Sequence, residues 1–391
     1  MIITDIDDTD LYKISMQQAA WHQYPKARGR YELAIRTRNP AFPVADIFPS
    51  IRDEILGMET LSLTNGQYSY IEREMPWIKH DYLDWLATFR FQPGREVKMA
   101  AQKNGSISVE PQGEWHRTIL YEVPALSITE ELYCNKANPM TPEEQTKVAI
   151  ERLIPKVEML KKHPRLCFTD FGTRRRFSKH VQRTVVKYLK ENCPNLIGTS
   201  NVGLAREFGL KAIGTVAHEW MMAHLALVDN LDQAQIRALH VWQQEYDDNL
   251  GTALTDTFTT KAFWKDFGNT LSSGYSGVRQ DSGDPLAFGW DAIAHYKKMG
   301  IDPRTKSIIF SDSLDFPKMI ELFETFIGLI GVGFGIGTNL TNDMGIEPLS
   351  IVMKLMELNG VPLVKLSDAS GKIMGDPVMV DRVRRAYGVT A

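Results

Sequence analysis

The chain has 391 residues, is 43% hydrophobic and 24% charged, and carries a net charge of −3. That length and apolar content suffice for two or three domains, or one large α/β domain with extensions, and the charged fraction argues against disorder and coiled coil. The net negative charge argues against a general nucleic-acid binder on electrostatic grounds.

Three cysteines, Cys134, Cys167 and Cys193, lie far apart. Neither a disulfide framework nor a cysteine-based zinc site fits them, and a reducing, cytoplasmic compartment is the simplest reading. The N-terminal MIITDIDDTDLYK is acidic where a signal peptide needs a basic start and an apolar run. Residues 1–135 read as a smaller α+β domain. RYELAIRTR alternates like a half-buried strand, HDYLDWLATFR is helical, and REVKMAAQ with GSISVEP forms a hairpin around Asn104-Gly105.

Over residues 136–345 short apolar runs alternate with amphipathic helical patterns. The runs are RLCFTDF, NLIGTS, KAIGTVAH, GTALTDTF, GVRQDSGD, KSIIFSDS and GVGFGIGTN. This rhythm predicts βαβ units and a parallel sheet buried on both faces. Each run ends in a polar group: Asp170, Ser200, His218, Asp256, Arg279 with Asp281, Asp312, and Thr338 with Asn339. A β/α barrel gathers its site at such strand ends. Seven runs, not eight, leave an irregular barrel and an open doubly wound sheet both possible. The uncharged stretch 325–342 is long enough for a spanning helix. Its five glycines fit a buried helix end, a strand and a loop better, so no membrane segment is expected. Residues 346–391 have no repeat partner and are expected to return towards the first domain.

Several motifs carry candidate chemistry. In FTDFGTRRRFS the spacing of Phe177, Val181, Val185 and Tyr188 predicts a helix from near Arg174, with Arg174, Arg175 and Arg176 in its first turn. Cations conflict with the helix dipole there, which favours a polyanionic ligand over a solvated turn or an ion-pair cluster. GVRQDSGDP sets Arg279 and Asp281 on one side of a strand. Arg279 could grip a carboxylate, and Asp281 and Asp284 could hold ribose hydroxyls or Mg²⁺; an Arg–Asp salt bridge in a turn is an equal alternative. GVGFGIGTN resembles a phosphate cradle, although close strand–helix packing also uses glycine. AHEWMMAH fails as a zinc motif, because Met222 stands where the second histidine is needed. His218 instead sits between a strand end and a helix start, as a nucleophile or acid/base would. His224, His240 and His295 read as packing histidines. In GTSN, Thr199, Ser200 and Asn201 cap a helix or bind a ligand.

Taken in order, DTDLYK, FTDFGTRRRF, GTSN, GTVAHEW, GVRQDSGD, FSDSLD and GFGIGTN resemble the nicotinate phosphoribosyltransferase family over nearly the whole chain. The resemblance implies the type II phosphoribosyltransferase fold, an irregular seven-stranded α/β barrel with a small N-terminal domain. It also implies a reaction coupled to ATP hydrolysis (ligase class 6.3.4), in which nicotinate and phosphoribosyl pyrophosphate give nicotinate mononucleotide and pyrophosphate in NAD salvage. His218 would be transiently phosphorylated by ATP, with Arg279 and Asp281 as its catalytic companions. Arg279, with Thr215 and Ser200, would bind nicotinate, and Tyr12 and Phe171 would sandwich its ring. Arg174, Arg175, Asp281, Asp312, Gly335, Gly337 and Thr338 would hold the phosphates and ribose. Mg²⁺ would accompany ATP and pyrophosphate, without a metal site built from the protein. A homodimer with shared sites is implied, Tyr12 reaching the neighbouring subunit.

Nicotinamide-using relatives place an aspartate where this chain has Ser200. A carboxylate there would repel nicotinate, so the resemblance favours the acid. The alternatives are a nicotinamide or quinolinate phosphoribosyltransferase and a catalytically inactive nucleotide-binding protein.

Overall fold

The computed structural model describes residues 1–389. The first strands are β1 (Arg28–Ile35), β2 (Val97–Ala101) and β3 (Ile107–Glu114). β2 and β3 form the expected hairpin, with Met99 opposite Val109. Gly105 takes the positive φ of +82° that its turn needs. Along β3, Ile107, Val109 and Pro111 are buried while Ser108 and Glu110 are half-buried, the period-two pattern of a one-sided sheet.

All seven apolar runs become strands: β4 (Phe168–Asp170), β5 (Leu196–Thr199), β6 (Lys211–Ala212), β7 (Thr252–Leu254), β8 (Gly277–Gln280), β9 (Ser307–Phe310) and β10 (Gly331–Ile336). They form one parallel sheet in the order β6-β5-β4-β10-β9-β8-β7. The sheet is a curled, incompletely closed barrel, with β6 and β7 as its edge strands. The later strands β11 (Ile351–Leu358) and β12 (Val361–Pro362) join the smaller sheet, whose order is β12-β11-β1-β3-β2.

By its internal contacts the chain divides into two compact units, residues 1–214 with 336–354, and residues 215–335 with 355–391. In the second unit, the helix Phe316–Phe326 shows how sequence sets packing. Asp315 caps it by accepting from Lys318 N at 2.8 Å, and Pro317 occupies its first turn. Its buried Phe316, Met319, Leu322, Phe323 and Phe326 recur at helical spacing. Phe326 stacks on Phe310 of β9, which in turn stacks on Phe334 of β10. Burying such a ring contributes about 2–3 kcal/mol. A Cβ on Gly289, in the neighbouring helix Pro285–Lys298, would overlap the Phe326 ring, so this close approach requires glycine.

Two local expectations are corrected. The helix after β4 begins at Lys179, not near Arg174. Ser178 caps it through Val181 N at 3.0 Å, and Thr173–Arg175 form a separate 3₁₀ turn. The three arginines therefore precede the helix, and the conflict with its dipole disappears. The stretch 325–342 resolves into a helix end at Phe326, strand β10 and the short helix Thr338–Thr341 where a loop was expected. Among the described residues no helix is long and apolar enough to cross a membrane.

Candidate active site

In the second unit, the ends of β7, β8 and β9 and the segment after β12 converge on His218. The ring is 5% exposed and opens the helix His218–Ala223. Its Nδ1 lies 3.0 Å from Thr257 Oγ1. Its Nε2 lies 3.0 Å from Asp281 Oδ2, 2.7 Å from Lys365 Nζ and 3.7 Å from Asp256 Oδ1. Burial, followed by the Lys365 charge, lowers the imidazole pKa to about 4. The ring is therefore neutral at pH 7 and keeps a nucleophilic lone pair.

Asp281 follows β8. Arg279 Nη2 donates to its Oδ1 at 2.9 Å, and Ser311 Oγ donates to the same oxygen at 2.9 Å. Arg279 Nε also donates to Ser311 Oγ at 2.8 Å. Burial opposes the charge on Asp281, but Arg279 and His218 outweigh it and hold the carboxyl well below its ordinary value. The salt bridge in the GVRQDSGDP turn is thus present, and it leads directly to His218. Asp256, after β7, is fully buried. Its Oδ2 accepts from Ser282 Oγ at 2.6 Å and pairs with Lys365 Nζ at 3.1 Å. Burial raises its pKa, and His218 and Lys365 lower it further than burial raises it.

Asp312, after β9, accepts from Lys372 Nζ at 2.8 Å. Thr215 is half-buried three residues before His218, and Gly335 is buried within β10. Asp284 does not join this group. It caps the helix Pro285–Lys298 by accepting from Leu286 N and Ala287 N through Oδ1.

The first unit holds a second group at the ends of β4 and β5. Asp170 is fully buried and accepts from Gly172 N, Gln182 Nε2 and Thr199 Oγ1 at 2.8–2.9 Å. These bonds fix the turn that carries Phe171 and Arg174. A Cβ on Gly172 would overlap Thr341, so glycine is required here too. Phe171 N donates to Ile336 O at 2.8 Å, just before Gly337 and Thr338.

The three arginines diverge. Arg174 lies 3.5 Å from Glu122 and 3.9 Å from Asp10, with its guanidinium 5.7 Å from the Tyr12 ring centre. Arg175 Nε donates to Ile351 O at 3.3 Å. Arg176, 1% exposed, forks onto Asp8 at 2.7 and 2.9 Å. For Arg176 the ion-pair alternative is the correct one.

Tyr12 is buried, with its hydroxyl 3.3 Å from Glu122 Oε1 of the same chain. Burial opposes ionisation of Glu122, but Lys13, Arg174 and Lys354 bring its pKa down to about 2. Ser200 Oγ donates to Asp10 Oδ1 at 2.7 Å. A carboxyl group therefore already stands beside position 200, and the identity of Ser200 alone does not free this corner of acid groups. Asn201 caps the helix Val202–Phe208 through Leu204 N.

Lys365, Lys372, Thr257, Ser311, Asp10 and Glu122 also belong to these groups, beyond the residues that the sequence singles out. The lysines bracket KLSDASGK, outside the strand-end rhythm, so periodicity gives no signal for them.

Polar side chains at the ends of parallel strands mark the class as an α/β-barrel enzyme, and comparison with known proteins specifies it. The model of the nicotinate phosphoribosyltransferase (NAPRTase) family matches residues 166–391, and that of its N-terminal domain matches residues 8–130. The nicotinate phosphoribosyltransferase of Photorhabdus laumondii is 42% identical over 99% of this chain and 96% of its own. That of Yersinia enterocolitica is 41% identical with the same coverage. Among solved structures, nicotinate phosphoribosyltransferase from Vibrio cholerae superposes with a TM-score of 0.94 at 40% identity, covering 100% of this chain and 94% of that one. The enzyme from Porphyromonas gingivalis gives 0.92 at 38% identity, covering 99% and 100%. The chain belongs to the nicotinate phosphoribosyltransferase family.

Proposed function

We propose that the protein transfers phosphoribose from phosphoribosyl pyrophosphate to nicotinate, coupled to ATP hydrolysis through a phosphohistidine at His218. The products are nicotinate mononucleotide, pyrophosphate, ADP and phosphate. The observation that carries this reading is the neutral, buried imidazole of His218, held between Thr257 and Asp281 and next to Lys365. A neutral ring can attack a phosphoryl group, and the acids around it meet the charge the ring gains.

Arg279 binds the nicotinate carboxylate, with Thr215 beside it, and Asp281 orients both Arg279 and His218. Breaking the bond from ribose C1 to pyrophosphate builds oxocarbenium-like charge on the sugar. Asp281 and Asp312 stabilise that charge, while cations hold the leaving group. Nicotinate nitrogen carries no proton at neutral pH, so no general base is required. Tyr12, Phe171, Ser200, Arg174, Arg175, Gly335, Gly337 and Thr338 keep the ring, phosphate and ribose roles that the family motifs give them. The enzyme works as a homodimer in the cytoplasm, in NAD salvage.

Mg²⁺ enters with ATP and pyrophosphate as part of the substrates. His218, Asp256 and Asp281 place ligand atoms within 4.8 Å of one another, as a metal site would. The Lys365 ammonium, within 3.1 Å of two of them, already supplies the cation, so this trio does not fit a resident metal.

The test is mononucleotide formation from nicotinate and phosphoribosyl pyrophosphate with Mg²⁺, with and without ATP, for wild type and His218→Ala. ATP should raise the wild-type rate or yield, and the variant should lose only that gain. If no mononucleotide forms under any condition, the transferase reading fails. Nicotinamide is the second substrate to test, because the Asp10 carboxyl beside Ser200 could accept from an amide. Equal turnover of both would remove the preference for the acid.

A further inference from the structure

The cation next to His218 is the one group in this cluster without a role so far. Lys365 is 5% exposed, yet its ammonium reaches His218 Nε2 at 2.7 Å and Asp256 Oδ2 at 3.1 Å. Its backbone is fixed on both sides. Lys365 N donates to Met374 O at 3.0 Å, and Leu366 N donates to Thr257 O at 2.9 Å. The second bond ties the lysine to the loop that carries Thr257 and Asp256. Beyond Asp256 Oδ2, the other oxygen of that carboxylate, Oδ1, is buried without a hydrogen-bond partner, so Lys365 meets only half of a buried charge.

We propose that Lys365 positions the phosphoryl group transferred to His218, moving its ammonium from the imidazole and Asp256 onto the phosphoryl oxygens as the nitrogen–phosphorus bond forms. The inference rests on the phosphohistidine reading above. Charge is the reason a cation is needed here. Asp256 and Asp281 stand within 4.8 Å of His218 with one another, and an incoming triphosphate would meet both carboxylates. Arg279 is engaged with Asp281 through Oδ1, the oxygen other than the one facing His218. Lysine suits the task because its ammonium is compact, has three donors and rides on a flexible stem.

The step balances. A lone pair on a ring nitrogen of His218 forms the bond to phosphorus, and the terminal phosphorus–oxygen bond of ATP breaks, its electron pair leaving on ADP. The opposite ring nitrogen keeps its proton. Asp256 and Asp281 meet the positive charge that the ring gains, while Lys365 meets the phosphoryl oxygens. The low imidazole pKa agrees with a lysine held beside it in the resting state.

The experiment is rapid-quench labelling of the full-length protein with terminally labelled Mg·ATP. Wild type should label and His218→Ala should not. Failure of wild type to label overturns the phosphohistidine reading itself. With wild type labelled, Lys365→Met should label about 100-fold more slowly, the scale of losing one preorganised charged donor. Lys365→Arg should retain an intermediate rate, and propylammonium should restore at least about tenfold to Lys365→Ala. A merely structural lysine would not respond to added amine. Labelling of Lys365→Met at the wild-type rate overturns the inference. So does a folded Lys365→Ala that ignores the amine, and this second arm decides the matter if the methionine variant does not fold.

Discussion

Asp281 links Arg279 to His218 through its carboxylate: Oδ1 accepts from Arg279 at 2.9 Å, and Oδ2 lies 3.0 Å from His218 Nε2. One side chain thus sets the orientation of both the candidate carboxylate clamp and the candidate phosphoryl carrier. Arg279→Lys should raise KM for nicotinate roughly 30-fold, about 2 kcal/mol, while leaving ATP labelling of His218 nearly intact, because lysine cannot reproduce a planar fork. Asp281→Asn should impair both. Steady-state kinetics alongside labelling separates the two; equal losses in both variants would show that the clamp and the carrier are not distinct.

His218 should stay neutral across the working range. Burial and Lys365 lower its pKa to about 4, against 6.5 for a free imidazole. Between these values the unfolded chain binds a proton that the folded one does not, so stability falls as pH drops from about 6.5 towards 4. Histidine-selective NMR should show no titration of the His218 ring between pH 8 and 5. His218→Asn should weaken the acid-side loss of stability. A midpoint near 6.5 for this ring would disprove the buried, lysine-contacted geometry.

The Arg176–Asp8 pair is structural. Arg176 is 1% exposed, and against the opposing effect of burial its guanidinium holds the Asp8 carboxyl far below its ordinary value. Replacing one partner leaves the other charged and buried, which costs about 3–5 kcal/mol. Arg176→Met should therefore lower the urea midpoint strongly. The double variant Arg176→Met with Asp8→Leu should recover part of the loss. An additive double loss would show that the two side chains do not act as a pair.

Glu130 should make stability fall towards alkaline pH. It is fully buried, Oε1 accepts from Leu349 N and Asn342 Nδ2, and burial raises its pKa to about 8 from 4.5. Between these values the folded state holds a proton that the unfolded state has lost, so stability is greatest below pH 4.5 for this group and declines through pH 8. Glu130→Gln should flatten that decline in chemical denaturation between pH 5 and 9. An unchanged slope would assign it to another group.

The barrel sheet is legible in sequence because most of its strands are short apolar runs closed by a polar residue; β6, only Lys211–Ala212, is the exception, since most of the run KAIGTVAH lies outside the strand. Arg279, Asp281 and Asp312 lie at or just beyond the ends of β8 and β9, as their positions in the runs suggest, whereas His218 opens a helix six residues after β6 ends. Local sequence pattern misplaces the helix start near Arg174, since Phe177 fits the apolar spacing although Ser178 supplies the cap. It groups three arginines by adjacency, whereas their partners, Glu122, Ile351 and Asp8, lie 52 to 176 residues away. Lys365 is missed for the same reason: its contact with His218 spans 147 residues and follows from folding, not from local pattern.

The sheet order also bears on how the protein tolerates crowding. An open sheet offers its outer strands to any passing chain, and the hazard grows with the length and apolar character of those strands. Here the outer strands of the barrel sheet are β6, two residues beginning with the exposed Lys211, and β7, three residues. So short a template cannot seat a foreign strand for more than a bond or two. Each of these two edge strands is therefore a poor template for edge-to-edge aggregation.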